Sequence, residues 1–156
     1  MKKIDVAAVP VRRGSQYPSP FDEPCRNRMR QALGDAAGLD QFGVNLLTLE
    51  PGAWSSQRHW HTAEDEFVYV LEGEVVLVTD DGEETLRPGD SAGFRAGDPN
   101  GHHLINRTDA PARILEVGTR TPPGVDGAVY SDIDMIFPKD ADGYQHRDGT
   151  PYPPQG

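Results

Sequence analysis

The stretch GAWSSQRHWHTAEDEFVYVLEG, residues 52–73, decides how the rest of the chain is read. It begins and ends on glycine and carries His59, His61 and Glu66. Alternate residues of a β-strand point to the same face, so a strand through this region turns both imidazoles one way and Trp60 the other. Glu66 then opens a second strand with Val68 and Val70 on its face, and the intervening turn can bring its carboxylate back beside the imidazoles. A second histidine pair follows in Gly101-His102-His103-Leu104-Ile105-Asn106, where His102, Leu104 and Asn106 share a face and His103 takes the other. Each piece alone is ordinary: His-x-His on a strand is more often surface histidine, and Glu64-Asp65-Glu66 reads as a solvated acidic turn. Together they describe a metal site. Three imidazoles and one carboxylate leave one or two positions open on a five- or six-coordinate ion. Nitrogen and oxygen donors of this kind suit Mn, Fe, Co, Ni or Zn better than Ca or Mg. Open positions are what Lewis-acid or oxygen chemistry requires.

Working outward, the flanking chain is a series of short β-branched, aromatic and leucine-rich runs: GVNLLTLE, EFVYVLEG, EVVLVTD, EETLRPGD and RILEVG. They are cut by Pro51-Gly52, Asp80-Asp81-Gly82 and Pro88-Gly89-Asp90, all turn chemistry. The clearest hairpin is EVVLVT and EETLR around Asp80-Asp81-Gly82. Such spacing predicts an antiparallel all-β sandwich or barrel. Residues 1–27 read as an extended arm, and RMRQALGDAAGLD (28–40) as room for one helical turn, limited by Gly34 and Gly38. In the C-terminal part VYSDIDMIF (129–137) alternates and predicts one late strand, laid along the barrel or a neighbouring subunit. No internal repeat is visible, so the reading is one domain over 1–156: a barrel core at about 42–118, an N-terminal arm 1–41 and a C-terminal arm 119–156.

Composition narrows the function classes. The 156 residues carry a net charge of −10, which argues against nucleic acid or an anionic membrane as partner. Mean hydropathy is −0.61, and no apolar run approaches the roughly 20 residues of a membrane helix. The opening MKKIDVAAVP has too short an apolar stretch for a secretory signal, and a single cysteine, Cys25, suits a reducing cytosol; the expected compartment is cytoplasmic. Glycine and proline number 17 and 14, about one residue in five against a usual share near 12%, so long helices are not expected.

The two histidine groups resemble the motifs of the cupin family. The first motif of that family is G, five residues, HxH, three or four residues, E, six residues, G; Gly52, His59, His61, Glu66 and Gly73 follow it, with six residues before His59. The second is G, five residues, PxG, two residues, H, three residues, N. Gly89 opens it, Arg95-Ala96-Gly97 stands at PxG, and His102 with Asn106 closes it after a loop two residues longer. That spacing and the strand face favour His102 over His103 as ligand. The resemblance covers about residues 42–118. The 56–90 stretch and the ending HRDGTPY are also similar to small bacterial cupins that carry the label sugar-phosphate isomerase. It implies an antiparallel jelly-roll β-barrel, commonly a homodimer, with His59, His61, Glu66 and His102 around one divalent transition metal (Zn, Ni, Mn or Fe) in the barrel mouth.

The fold alone does not select a reaction. The leading expectation is a metal-dependent enzyme acting on a small oxygenated metabolite, of the sugar-phosphate isomerase kind. The alternatives are an Fe(II) dioxygenase-type cupin and a non-catalytic module that binds a small-molecule ligand. No general base is identified, Glu64 and Asp65 being the nearest candidates. Arg58, Arg95 and Asn106 are the expected substrate contacts, with Arg113 a further cation for a phosphate or carboxylate. The charge of −10 counts against a strongly anionic substrate. Trp54, Trp60 and Tyr69 tempt as sugar-stacking residues, but Trp60 and Tyr69 alternate away from the metal face.

Overall fold

The computed structural model describes residues 3–153; Met1 and Lys2 of the N-terminal arm and the last three residues of the C-terminal arm lie outside them. Twelve strands are formed: β1 (Val11–Arg13), β2 (Arg28–Ala32), β3 (Phe42–Leu49), β4 (His59–His61), β5 (Glu66–Glu72), β6 (Val75–Thr79), β7 (Gly82–Leu86), β8 (Ser91–Phe94), β9 (His103–Ile105), β10 (Ala112–Thr119), β11 (Ala128–Tyr130) and β12 (Ile136–Phe137). The one α-helix among the described residues, α1 (Leu33–Ala36), is a single turn.

The strands pair antiparallel throughout. One sheet has the order β1-β2-β3-β10-β5-β8; two smaller ones have β12-β11-β4 and β7-β6-β9. The smaller sheets are stitched together by a bridge between His59 and His102, whose backbone amides each donate to the other's carbonyl at 3.2 and 2.9 Å. Apolar side chains of both layers form the core, among them Leu47, Leu49, Val70, Val75, Leu104 and Ile114. This is the expected jelly-roll architecture.

The hairpin β6–β7 turns on Asp80-Asp81, with Thr79 opposite Gly82 as expected. Gly73 joins β5 to β6 at φ +76°, and a Cβ there would stand 2.7 Å from the Pro111 carbonyl oxygen and 2.8 Å from Ala112 Cα. Only glycine fits both the conformation and the space.

The arms depart from expectation. The N-terminal arm is not simply extended: β1 and β2 add two strands to the edge of the large sheet, β2 pairing with β3 along its length. Arg28–Ala32 alternates inward and outward against β3, which an arm without partners could not do. The late strand is two strands. After Tyr130 the chain bends through residues 131–134, because Asp132 is drawn to Arg58, while Asp134 accepts from His146 and the Arg147 amide. The two arms pack on each other in a second apolar cluster of Tyr17, Cys25, Tyr130 and Met135, with Trp54 and Tyr144 at its border. Cys25 is therefore fully buried. Outside, Phe67, Tyr69 and Leu71 of β5 leave an exposed apolar face on the large sheet.

Replacing Gly73 with alanine forces a left-handed backbone on a residue with a Cβ and drives that Cβ into Pro111 and Ala112. Chemical denaturation should show a loss of at least about 1–3 kcal/mol; a change within about 0.5 kcal/mol of wild type, the size of a neutral surface substitution, would contradict this packing.

Candidate metal centre

The site sits where the two smaller sheets meet, facing β5 of the large one. On β4, alternation turns His59 and His61 into the interior and leaves Trp60 opposite Val129 of β11. Glu66 opens β5 on the same face as Val68 and Val70, both buried. His102 stands above Leu104, a core residue, on the inner face of the strand end. His103 faces away: its Nδ1 lies 3.0 Å from the Ser56 carbonyl and its ring packs edge-on against Trp54.

One atom organises the geometry. Oε2 of Glu66 lies 2.8 Å from Nε2 of His102, 3.7 Å from Nε2 of His61 and 3.8 Å from Nε2 of His59. The donor atoms of His59, His61 and Glu66 all lie within 4.8 Å of one another. His59, His61 and Glu66 thus form one compact donor group, which His102 joins through its contact with Glu66.

The surroundings fix which nitrogen that is. Nδ1–H of His59 donates to the Gln57 carbonyl at 2.9 Å, and Nδ1–H of His61 to the Asp126 carboxylate at 2.6 Å, so both leave a lone pair on Nε2. Asp126 is itself held by the Ala63 amide at 2.8 Å. Phe94 stacks on the His102 ring at 3.5 Å, and Tyr130 stacks on His59 at 5.6 Å. His102 Nδ1 is buried with no partner among the described residues. Glu64 belongs to a second acidic group with His61 and Asp126, but it accepts from the Thr121 amide and hydroxyl at 2.7 and 2.9 Å. That group shares His61 with the first.

Electrostatics match a cation site. Burial pushes the His59 imidazole down from 6.5 to about 4, against the pull of Glu66, so it is neutral and able to ligate at neutral pH. Burial works to raise Glu66, yet the hydrogen bond to His102 and the neighbouring imidazoles outweigh it and hold the carboxyl at about 2. Neutral imidazoles beside an ionised carboxylate are the donor set a divalent transition ion takes.

Two cavities meet at the cluster. The larger, about 620 Å³, opens past His59, Glu66, Gly43 and Gly118; the smaller, about 260 Å³, reaches from His102 and Phe94 to Arg95 and Asn100. Gly43, Gly118 and Glu66 stand in one rung across β3, β10 and β5, and the Arg120 side chain lies over Gly43.

The expected substrate contacts are placed differently. Arg58 pairs with Asp80 and Asp132, tying β4 to two turns, and does not line either cavity. Asn106 is fully buried. Its Nδ2 donates to the Leu49 and Ala110 carbonyls, each at 2.8 Å, and its Oδ1 accepts from the amide and hydroxyl of Thr108. It holds a turn and has nothing left to offer a ligand. Arg113 pairs with Glu72 on the surface at 3.3 Å. Arg95 is exposed and reaches the smaller cavity. Asp65 accepts from the Ala96 amide at 2.7 Å. Missing from the sequence reading were Asp126, Phe94, Tyr130 and the arginines of the N-terminal strands, whose alternation in Arg28-Met29-Arg30 was the one signal available.

Comparison with known proteins agrees with this fold. Residues 45–118 match the cupin domain. The crystal structure of a sugar phosphate isomerase from the cupin superfamily of Silicibacter pomeroyi is 51% identical and covers 97% of each chain, with a TM-score of 0.91. A protein from Acidithiobacillus ferrooxidans, provisionally described as a sugar phosphate isomerase, is 27% identical over 82% of this chain and 81% of its own, with a TM-score of 0.70. The polyketide cyclase RemF of Streptomyces resistomycificus is 22% identical over 79% and 82%, with a TM-score of 0.62, and shares the fold. No curated protein sequence matches the chain. The chain belongs to the cupin superfamily. Among the described residues no helix is long and apolar enough to cross a membrane.

The buried charges set a pH dependence. His59 has a folded value below its unfolded one, so the unfolded chain binds the extra proton between pH 6.5 and about 4, and stability falls as pH is lowered through that window. Glu66 contributes in the same sense, its share being lost as pH falls from 4.5 toward 2. In metal-free protein the thermal midpoint should drop steadily from pH 7 to pH 4, and His59→Gln should flatten the upper part of that slope. An unchanged slope in the variant would contradict the burial of a neutral imidazole.

Proposed function

We propose that the chain is a metal-dependent isomerase of small sugar phosphates. The observation that carries the reading is the convergence of three Nε2 atoms on Oε2 of Glu66 at the wall of a cavity of about 620 Å³. The relative from Silicibacter pomeroyi supports the choice of reaction. His59, His61, Glu66 and His102 would hold one divalent transition ion, Zn, Ni, Mn or Fe. Such an ion supplies Lewis-acid polarisation of a carbonyl and stabilises charge on the neighbouring oxygen.

The chain's own residues supply the rest. The Gln57 carbonyl and Asp126 fix the tautomers of His59 and His61, and Phe94 and Tyr130 clamp the faces of His102 and His59. Gly118 puts no side chain beside Glu66, and the Arg120 guanidinium lies over Gly43 at the cavity wall. Aldose–ketose isomerisation moves one proton between adjacent carbons, a task for a carboxylate outside the ligand set. Glu64 and Glu116 line the cavity and are the two such groups there.

The test is turnover. Protein loaded in turn with Zn, Ni, Mn and Fe(II) is incubated in D₂O with five- and six-carbon aldose phosphates and followed by proton NMR. The expected result is the ketose phosphate with deuterium at the exchanged carbon, and a loss of at least a hundredfold in kcat/KM for Glu66→Gln. Stoichiometric metal without exchange on any aldose phosphate would overturn the isomerase reading, and oxygen uptake in its place would favour the Fe(II) dioxygenase type.

A further inference from the structure

The N-terminal arm builds a cationic wall inside the cavity. Arg12 of β1 pairs in register with Arg30 of β2, and Arg30 with Leu47 of β3, an inward-facing core residue. Period-two alternation therefore aims Arg12 and Arg30 inward from one rung and Arg28 from the next. All three line the same cavity as the metal cluster. Arg28 and Arg30 are half-buried along this wall and Arg12 is exposed at its rim, so the guanidinium groups meet the cavity from its open side.

Their partners are incomplete. Nε and Nη2 of Arg30 reach the Glu116 carboxylate at 3.0 and 3.3 Å, leaving Nη1 without a partner among the described residues. Arg28 spends Nε on the Gly14 carbonyl and Nη1 on the Ser55 carbonyl, which anchors it as a support. The Arg12 side chain makes no hydrogen bond or ion pair with any described residue. Free guanidinium donors on one wall of a cavity form a planar, multidentate anion receptor.

Position relates the wall to the chemistry. Arg30 and Glu66 lie on the same inner face, three strands apart and two inward-facing rungs offset along them, Arg30 in the rung of Leu47, Ile114 and Val70 and Glu66 in that of Gly43 and Gly118, and both line the same cavity. The rung between them carries Asn45 and Glu116, both also in the cavity lining. A small extended molecule anchored at the arginines would lay its far end beside Glu66.

We propose that Arg12 and Arg30, supported by Arg28, are the subsite for the phosphate ester end of the substrate, a phosphomonoester dianion. This deepens the isomerase reading and rests on it for the substrate's other end. It also answers the net charge of −10: the acidic excess lies elsewhere, and the cavity wall that meets the anion is basic.

The test uses inorganic phosphate as probe on metal-stripped protein, by isothermal titration calorimetry, so that coordination to an ion cannot account for binding. Arg12→Gln keeps the Arg30–Glu116 pair. The double replacement Arg30→Gln with Glu116→Gln removes both charges together, so that no carboxylate is stranded. Phosphate should bind wild type at least tenfold more tightly than either variant, and Arg113→Gln, which removes a surface arginine outside the cavity, should leave that binding unchanged. Equal binding in wild type and both variants, or an equal loss in Arg113→Gln, would overturn the subsite. A second readout separates the two readings. If phosphate binding depends on the arginines but no aldose phosphate turns over, the subsite stands and the isomerase reading fails. If neutral aldoses turn over as fast as their phosphates and Arg12→Gln changes neither, the subsite fails and the isomerase reading stands.

Discussion

Two backbone hydrogen bonds between His59 and His102 hold the site together before any side chain is considered. They join two three-stranded sheets into one layer and set the two imidazoles side by side, with ring centroids 5.1 Å apart. The large sheet then needs to contribute only one residue, Glu66 at the start of β5, for the fourth donor to arrive from the opposite layer. Because β5 is locked between β10 and β8, the carboxylate has little freedom to leave. A one-residue slip in either layer would turn the ligands out of the interior.

The same enclosure shapes the electrostatics. Burial disfavours charge on His59, and Glu66 stays ionised only because imidazoles surround it. Without a cation, the cluster is an anion stabilised by a hydrogen bond from His102. That is a poor arrangement for stability alone and a good one for binding a divalent ion, which would satisfy all four donors together. Elsewhere the arms repeat the principle at lower cost. Arg58 is clamped by two aspartates, and Asp126 is shared between an imidazole and an amide.

The placing of the candidate ligands on one face was legible because strand alternation is a local rule. His59, His61, Glu66 and the preference for His102 all follow from period two over a few residues, and the hairpin at Asp80-Asp81 follows from its turn. What escaped was non-local. Asp126 stands 65 residues from His61 in sequence, and nothing in its own neighbourhood marks it. Arg58 sat beside the ligands in sequence yet, by the same alternation, had to point away from them. Asn106 completed a motif but serves a turn. The arms looked like loop chemistry since β1 and β12 are three and two residues long; their order comes from pairing with β2 and β11. Arg28 and Arg30 acquire a direction only once β2 is known to lie on β3.

The central claim is that four residues from three strand ends hold one transition metal ion. Elemental analysis of protein purified without added metal, wild type beside the His59→Ala/His61→Ala double variant, tests it most directly. The account predicts close to one equivalent of Zn, Ni, Mn or Fe per chain in wild type and at least tenfold less in a folded double variant. Equal metal content in the two proteins, or none in wild type after incubation with each ion, would contradict it.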